Sequence, residues 1–206
     1  MRFPRQPAGC RSFSPKIFSR PIPDGDAGVD QTIRWMKALV QGAGGVRAPE
    51  VRAAALEAAR GSERGMSEID AVFHWVKDNI EFRGEHGETL QEPRVTLAWR
   101  AGDCDDQSIL AAALLNSLGY LTRFRTIALK DSPDELSHVY VEVFHRPSRQ
   151  WLPLDPTVAR SWPGWQPEEV ARAVDYPPIQ PVSETPWWMD ALIAGGTAWA
   201  AYQFVK

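Results

Sequence analysis

The chain has 206 residues, enough for one ordinary domain with appendages. Its 44% hydrophobic and 24% charged residues describe a soluble globular protein and exclude wholesale disorder. A net charge of −3 gives no general pull on phosphates, so no nucleic-acid partner is expected; two cysteines are too few for a disulfide framework or a four-thiolate zinc site.

Residues 1–25 read as a flexible, basic, Pro-rich arm. Prolines interrupt it too often for a secretory signal or an amphipathic targeting helix, which leaves a cytoplasmic or virion-associated protein as the expectation. Cys10 lies in this arm and reads as an incidental thiol. Residues 26–65 read as an N-terminal helical elaboration. Ile33, Met36 and Val40 recur at helical spacing before the Gly42 to Gly45 stop, and a second helix starts near Pro49 and ends at Gly61.

Residues 66–160 carry the strongest patterning. Ser67 and Asp70 make a capping-box-like pair ahead of the apolar stripe Ile69, Val72, Phe73, Val76 and Ile80. From 81 to 100 the pattern dissolves into Gly, Glu and Pro, as in a surface loop. Gly102-Asp103-Cys104-Asp105-Asp106 then announces a helix, with Asp103 as its cap, Leu110, Leu114 and Leu118 on its buried side and Gly119 at its end. Cys104 is thereby placed in the first turn. Asp103, Asp105 and Asp106 lack the spacing of a calcium loop and read as caps and solvated charges, so neither metal nor cofactor is expected. Strand-like runs follow at 120–129, 138–145 and 150–154, the last two forming a hairpin around Arg146-Pro147-Ser148-Arg149. His74, His86 and His145 read as structural.

Residues 161–206 read as a Pro- and Trp-rich tail, with an apolar helix expected near 187–205. Asp190 and Gln203 inside that span favour docking on the core or on a protein partner over membrane contact.

A nucleophilic cysteine needs a helix N-terminus, a neighbouring imidazolium, or both. Cys104 has the first by position, although Asp105 and Asp106 oppose its ionisation. Strand alternation supplies a histidine. Val139, Val141 and Val143 define one face of the first hairpin strand and match Leu152 and Leu154, so His138 and Asp155 fall together on the other. A reversal about Arg146-Pro147 sets His138 directly opposite Asp155, and one about Pro147-Ser148 makes them diagonal neighbours. Either spacing, about 5–8 Å between backbones, permits a hydrogen bond between the side chains.

The ordered set Gly102-Asp103-Cys104-Asp105-Asp106, Ser137-His138-Val139-Tyr140-Val141-Glu142-Val143 and Trp151 through Leu154-Asp155-Pro156-Thr157 resembles the transglutaminase-like superfamily. With Glu88-Thr89-Leu90-Gln91, it is most similar to the small bacterial, phage or prophage members. Asp105 stands where animal transglutaminases carry a bulky aromatic. The resemblance implies an α+β, papain-like fold, its cysteine-bearing helix packed on an antiparallel sheet. It also implies acyl transfer from a protein or peptide amide through a thioester, with Cys104 as nucleophile, His138 as base and Asp155 orienting the imidazole. Hydrolysis needs only water, whereas crosslinking needs a second site for an amine. The Cys104 N–H is one expected oxyanion donor, and Gln91 and Trp99 are candidates for the second. The competing expectation is a non-catalytic structural or assembly protein of a phage or prophage particle that retains the fold.

Overall fold

The computed structural model describes residues 17–19, 23–64, 66–84 and 89–181. Its elements in chain order are β1 (Ile17–Ser19), α1 (Asp26–Gln41), α2 (Pro49–Ala59), a 3-10 turn (Arg60–Arg64), α3 (Glu68–Asn79), β2 (Glu81–Phe82), β3 (Thr89–Gln91), α4 (Pro93–Trp99), β4 (Ala101–Gly102), α5 (Cys104–Ser117), β5 (Thr122–Leu129), β6 (His138–His145), β7 (Gln150–Leu154) and β8 (Val170–Asp175). This is the expected α+β arrangement, in which the cysteine-bearing helix packs on an antiparallel sheet of order β7-β6-β5-β8.

Helix α5 is the centre of the molecule. Every residue from 106 to 116 is buried, as expected of a helix with apolar residues all round. Helices α1 to α4 cover part of it and β5 and β6 cover the rest. Each fully buried Leu or Ile, such as Ile109, Leu110, Leu114 and Leu115, contributes about 1.5–3 kcal/mol. The polar residues on this buried helix tie it to its surroundings. Ser108 Oγ donates to the Val139 carbonyl at 3.3 Å, Gln107 Nε2 to the Gly102 carbonyl at 3.1 Å, and Asn116 Nδ2 to the Tyr120 carbonyl at 2.9 Å.

The helices at 26–65 belong to the same core rather than to an appendage, since Ile33, Met36, Val40, Val51 and Ala55 join Val72, Phe73, Leu110 and Val141 in one buried cluster. Ser67 caps α3 as expected, its Oγ accepting the Asp70 N–H at 3.1 Å. The stretch expected as a surface loop instead contains α4. Pro93 there is a helix starter at the first position, not a breaker, and Arg100 ends the helix in the left-handed region (φ 54°) without a glycine. Two further differences lie at the edges. Ile17–Ser19, inside the segment expected as a flexible arm, pairs with β3, and β8, inside the expected tail, forms the sheet edge beside β5.

Gly102 has a packing role. A Cβ there would lie 2.6 Å from the Asp106 Cβ, and the two cannot coexist without a backbone shift. Gly102→Ala is expected to cost about 1–3 kcal/mol of overpacking, read as a lower urea midpoint at constant slope. No helix among the described residues is long and apolar enough to cross a membrane. Cys10, His86 and the apolar segment 187–205 lie outside the described residues.

Candidate active site

Asp103 is the N-cap of α5. Its Oδ1 accepts the N–H groups of Asp105 at 3.1 Å and Asp106 at 3.2 Å, which places Cys104 at the first helical position. The Cys104 N–H is one of the helix-start donors with no acceptor inside the helix, the property asked of an oxyanion donor. The parallel pairing of β4 with β2 braces the residues just before it.

The acids after the cysteine divide. Asp105 is half-buried beside the thiol, its Oδ1 3.8 Å from the Cys104 Sγ. Asp106, expected as a solvated charge, is fully buried, and its Oδ1 accepts the Gln91 N–H at 2.8 Å. Its role is to fasten β3 to α5. Burial first, then the carboxylates of Asp105 and Asp103, push the Cys104 thiol up to about 12, against the backbone N–H groups of Val139 and Asp105. Burial likewise holds the Asp103 carboxyl above its usual range.

The hairpin presents the histidine. Val141 pairs with Leu154 and Val143 with Leu152, which is the reversal about Pro147-Ser148 and makes His138 and Asp155 diagonal neighbours. Their side chains meet, His138 Nε2 lying 2.7 Å from Asp155 Oδ2. The other carboxylate oxygen of Asp155 accepts the Thr157 N–H at 3.2 Å and its hydroxyl at 2.6 Å. An ionised carboxylate can only accept, so this arrangement sets the imidazole proton on Nε2 and leaves Nδ1 as a base. On the thiol side, the Val139 N–H that favours the thiolate belongs to the residue directly after His138. Cys104, His138, Ser137 and Val139 line one cavity of about 630 Å³.

Asp155 is 2% exposed and is fixed from behind. The Ser161 hydroxyl is within hydrogen-bond reach of the Asp155 and Val158 carbonyls, and Lys77 of α3 donates to the carbonyls of Val158 at 3.0 Å and Ser161 at 2.8 Å. Thr157, Ser161, Lys77 and the Val139 N–H are therefore site-supporting groups that sequence reasoning did not assign. Only Thr157 left a trace, because an Asp followed two residues later by an N–H it can accept is an Asx-turn signature. Thr157→Val is expected to cost about 1.5–3 kcal/mol of stability by loss of a hydrogen bond to the Asp155 carboxylate, read as a lower urea midpoint, and Thr157→Ser should restore most of it.

The two candidates for a second oxyanion donor lie on β3 and α4. Gln91 is 2% exposed in β3 with its backbone N–H committed to Asp106, and Trp99 is 46% exposed at the end of α4. Neither is in the cavity wall, which takes Thr89 from β3 instead.

A family model described as the transglutaminase-like superfamily matches residues 52–156, just over half of the chain and a span that includes Cys104, His138 and Asp155. Among solved structures, a protein of Cytophaga hutchinsonii described as a candidate cysteine protease is similar at 22% identity and a TM-score of 0.38, over 52% of this chain and 35% of that one. The chain thus spans about a third of the length of that protein. No curated protein matches the sequence significantly.

Proposed function

The chain belongs to the transglutaminase-like superfamily, and from that premise we propose that it is a thiol hydrolase or acyltransferase acting on protein or peptide amides. Cys104 is the nucleophile, His138 the base and Asp155 the residue that orients the base. The observation that carries this reading is the 2.7 Å bond from His138 to a buried, Thr157-braced Asp155, beside a cavity that Cys104 also lines.

In this mechanism the imidazole Nδ1 takes the thiol proton as sulfur bonds to the amide carbon, and the carbonyl electron pair moves onto oxygen. The Cys104 N–H stabilises that oxyanion. Collapse breaks the C–N bond, His138 returns the proton to the leaving amine, and a thioester remains on Cys104. Water, deprotonated by His138, then releases the acid; an amine in its place would give a new amide. Hydrolysis is the simpler outcome because it needs no second binding site.

One observation favours a second reading, a non-catalytic particle or assembly protein that keeps the fold: the thiol is held protonated by its burial and by Asp105 and Asp103. The two separate in one experiment. The protein is incubated with a mixture of peptide amides, quenched in acid and weighed intact. Acyl transfer predicts a mass increase on Cys104 that hydroxylamine removes. Absence of any adduct, with Cys104 labelled by a mild electrophile no faster than Cys10, would favour the structural reading.

A further inference from the structure

The cavity beside Cys104 is lopsided in charge. Among the described residues of its wall, Asp24, Asp26, Asp103, Asp105, Asp134 and Glu135 bring six carboxylates, while no lysine or arginine lines it. Three of these have other duties. Asp26 is held by the Arg172 guanidinium at 2.6 and 2.8 Å, Asp103 caps α5, and Asp105 lies beside the thiol. Asp24, Asp134 and Glu135 are exposed; the Arg172 guanidinium donates to the Asp134 carbonyl at 3.3 Å and feels its carboxylate, while no side-chain ion pair or hydrogen bond among the described residues occupies the carboxylates of Asp24 and Glu135.

Like charges gathered around a cleft repel one another and raise the local concentration of cations. The carboxylates are not gathered as metal ligands, since among the described residues no three His, Cys, Asp or Glu side chains converge in a way that could hold an ion. They are spread along a wall that also carries apolar surface from Val29 and Leu136. An apolar strip rimmed by separated carboxylates matches a lysine or arginine side chain, whose methylenes cover apolar surface while its charged head reaches outward.

We propose that this cleft selects amide substrates that carry a lysine or arginine side chain close to the scissile bond, with Asp24, Asp134 and Glu135 meeting the cation. The substrate half of this inference rests on the acyl-transfer reading above; the charge preference of the cleft does not.

The test has two parts. In a Cys10→Ser protein, Cys104 is modified with methanethiosulfonate reagents that share a leaving group but carry either a trimethylammonium or a sulfonate. The cation-to-anion rate ratio, divided by that of free cysteine, is expected to exceed about tenfold at low salt and to shrink as salt screens the carboxylates. Asp134→Asn with Glu135→Gln should lower it at least about threefold. A ratio equal to that of free cysteine, or one indifferent to the double substitution, overturns the proposal. In the second part, kcat/KM is compared for peptide amides differing only as lysine against norleucine and arginine against citrulline. A preference of about tenfold or more for the charged member is expected. Turnover with no such preference overturns this inference and leaves the acyl-transfer reading intact. A strong cation ratio on Cys104 without any turnover supports the cleft's charge preference and counts against acyl transfer.

Discussion

Cys104→Ala is expected to lower amide turnover by at least about 10⁴-fold while moving the thermal midpoint by only a few degrees. The chemical loss is large because no other group among the described residues of the cavity wall can form the thioester; those residues can bind and polarise an amide but not attack it. The structural loss is small because Cys104 is only partly buried at the edge of the core, and exchanging its sulfur for hydrogen there costs on the order of 1 kcal/mol. Steady-state turnover of a peptide amide together with a thermal melt measures both. A variant retaining more than about 1% of wild-type turnover would assign the chemistry to another group.

Asp155→Asn is expected to cost about 10³–10⁴ in kcat with the backbone unchanged. The local hydrogen bonds dictate why. Both Thr157 donors point at the same carboxylate oxygen, so the asparagine carbonyl must occupy that position and its NH2 must face His138. An NH2 facing Nε2 demands a lone pair there, which moves the imidazole proton to Nδ1 and removes the base that the proposed mechanism uses. The ring nitrogen shifts of His138 in nitrogen-15 spectra should therefore exchange between wild type and variant. Full activity in the variant, or an unchanged tautomer, would contradict the role given to Asp155.

The parts of the fold legible in the sequence were those in which local signals agree with packing. The Ser67 cap, the cysteine helix beginning after Asp103, and the strands His138–His145 and Gln150–Leu154 each show the right period together with the right terminator. The pairing of His138 with Asp155 was legible for the same reason, since valine and leucine alternation fixes which side chains share a face. Helix α4 was not, because Pro93 begins it and Arg100 ends it where a glycine would have marked the end. Strand β8 was hidden because Val170–Asp175 is short and alternates weakly, with only partial burial along it; its partner β5 decides it. Asp106 misled because a carboxylate near a helix start is ordinarily solvated, and only the tertiary approach of the Gln91 N–H shows why this one is buried. The acidic wall of the cleft could not be seen in advance either, since Asp24 and Asp134 lie far apart in the chain and only the fold brings them to one cavity.

In this reading His138 activates a thiol that burial and the carboxylates of Asp105 and Asp103 push up to about 12. The pH dependence of Cys104 alkylation by iodoacetamide, compared between wild type and His138→Ala, tests it most directly. A lone thiol with so high a pKa reacts in proportion to its thiolate, so the variant should gain about tenfold in rate per pH unit from neutrality upward. Wild type should react at least about 10²-fold faster than the variant at pH 7 and climb less steeply with pH, because the imidazole accepts the proton. Superimposable profiles, both climbing tenfold per unit, would contradict the account.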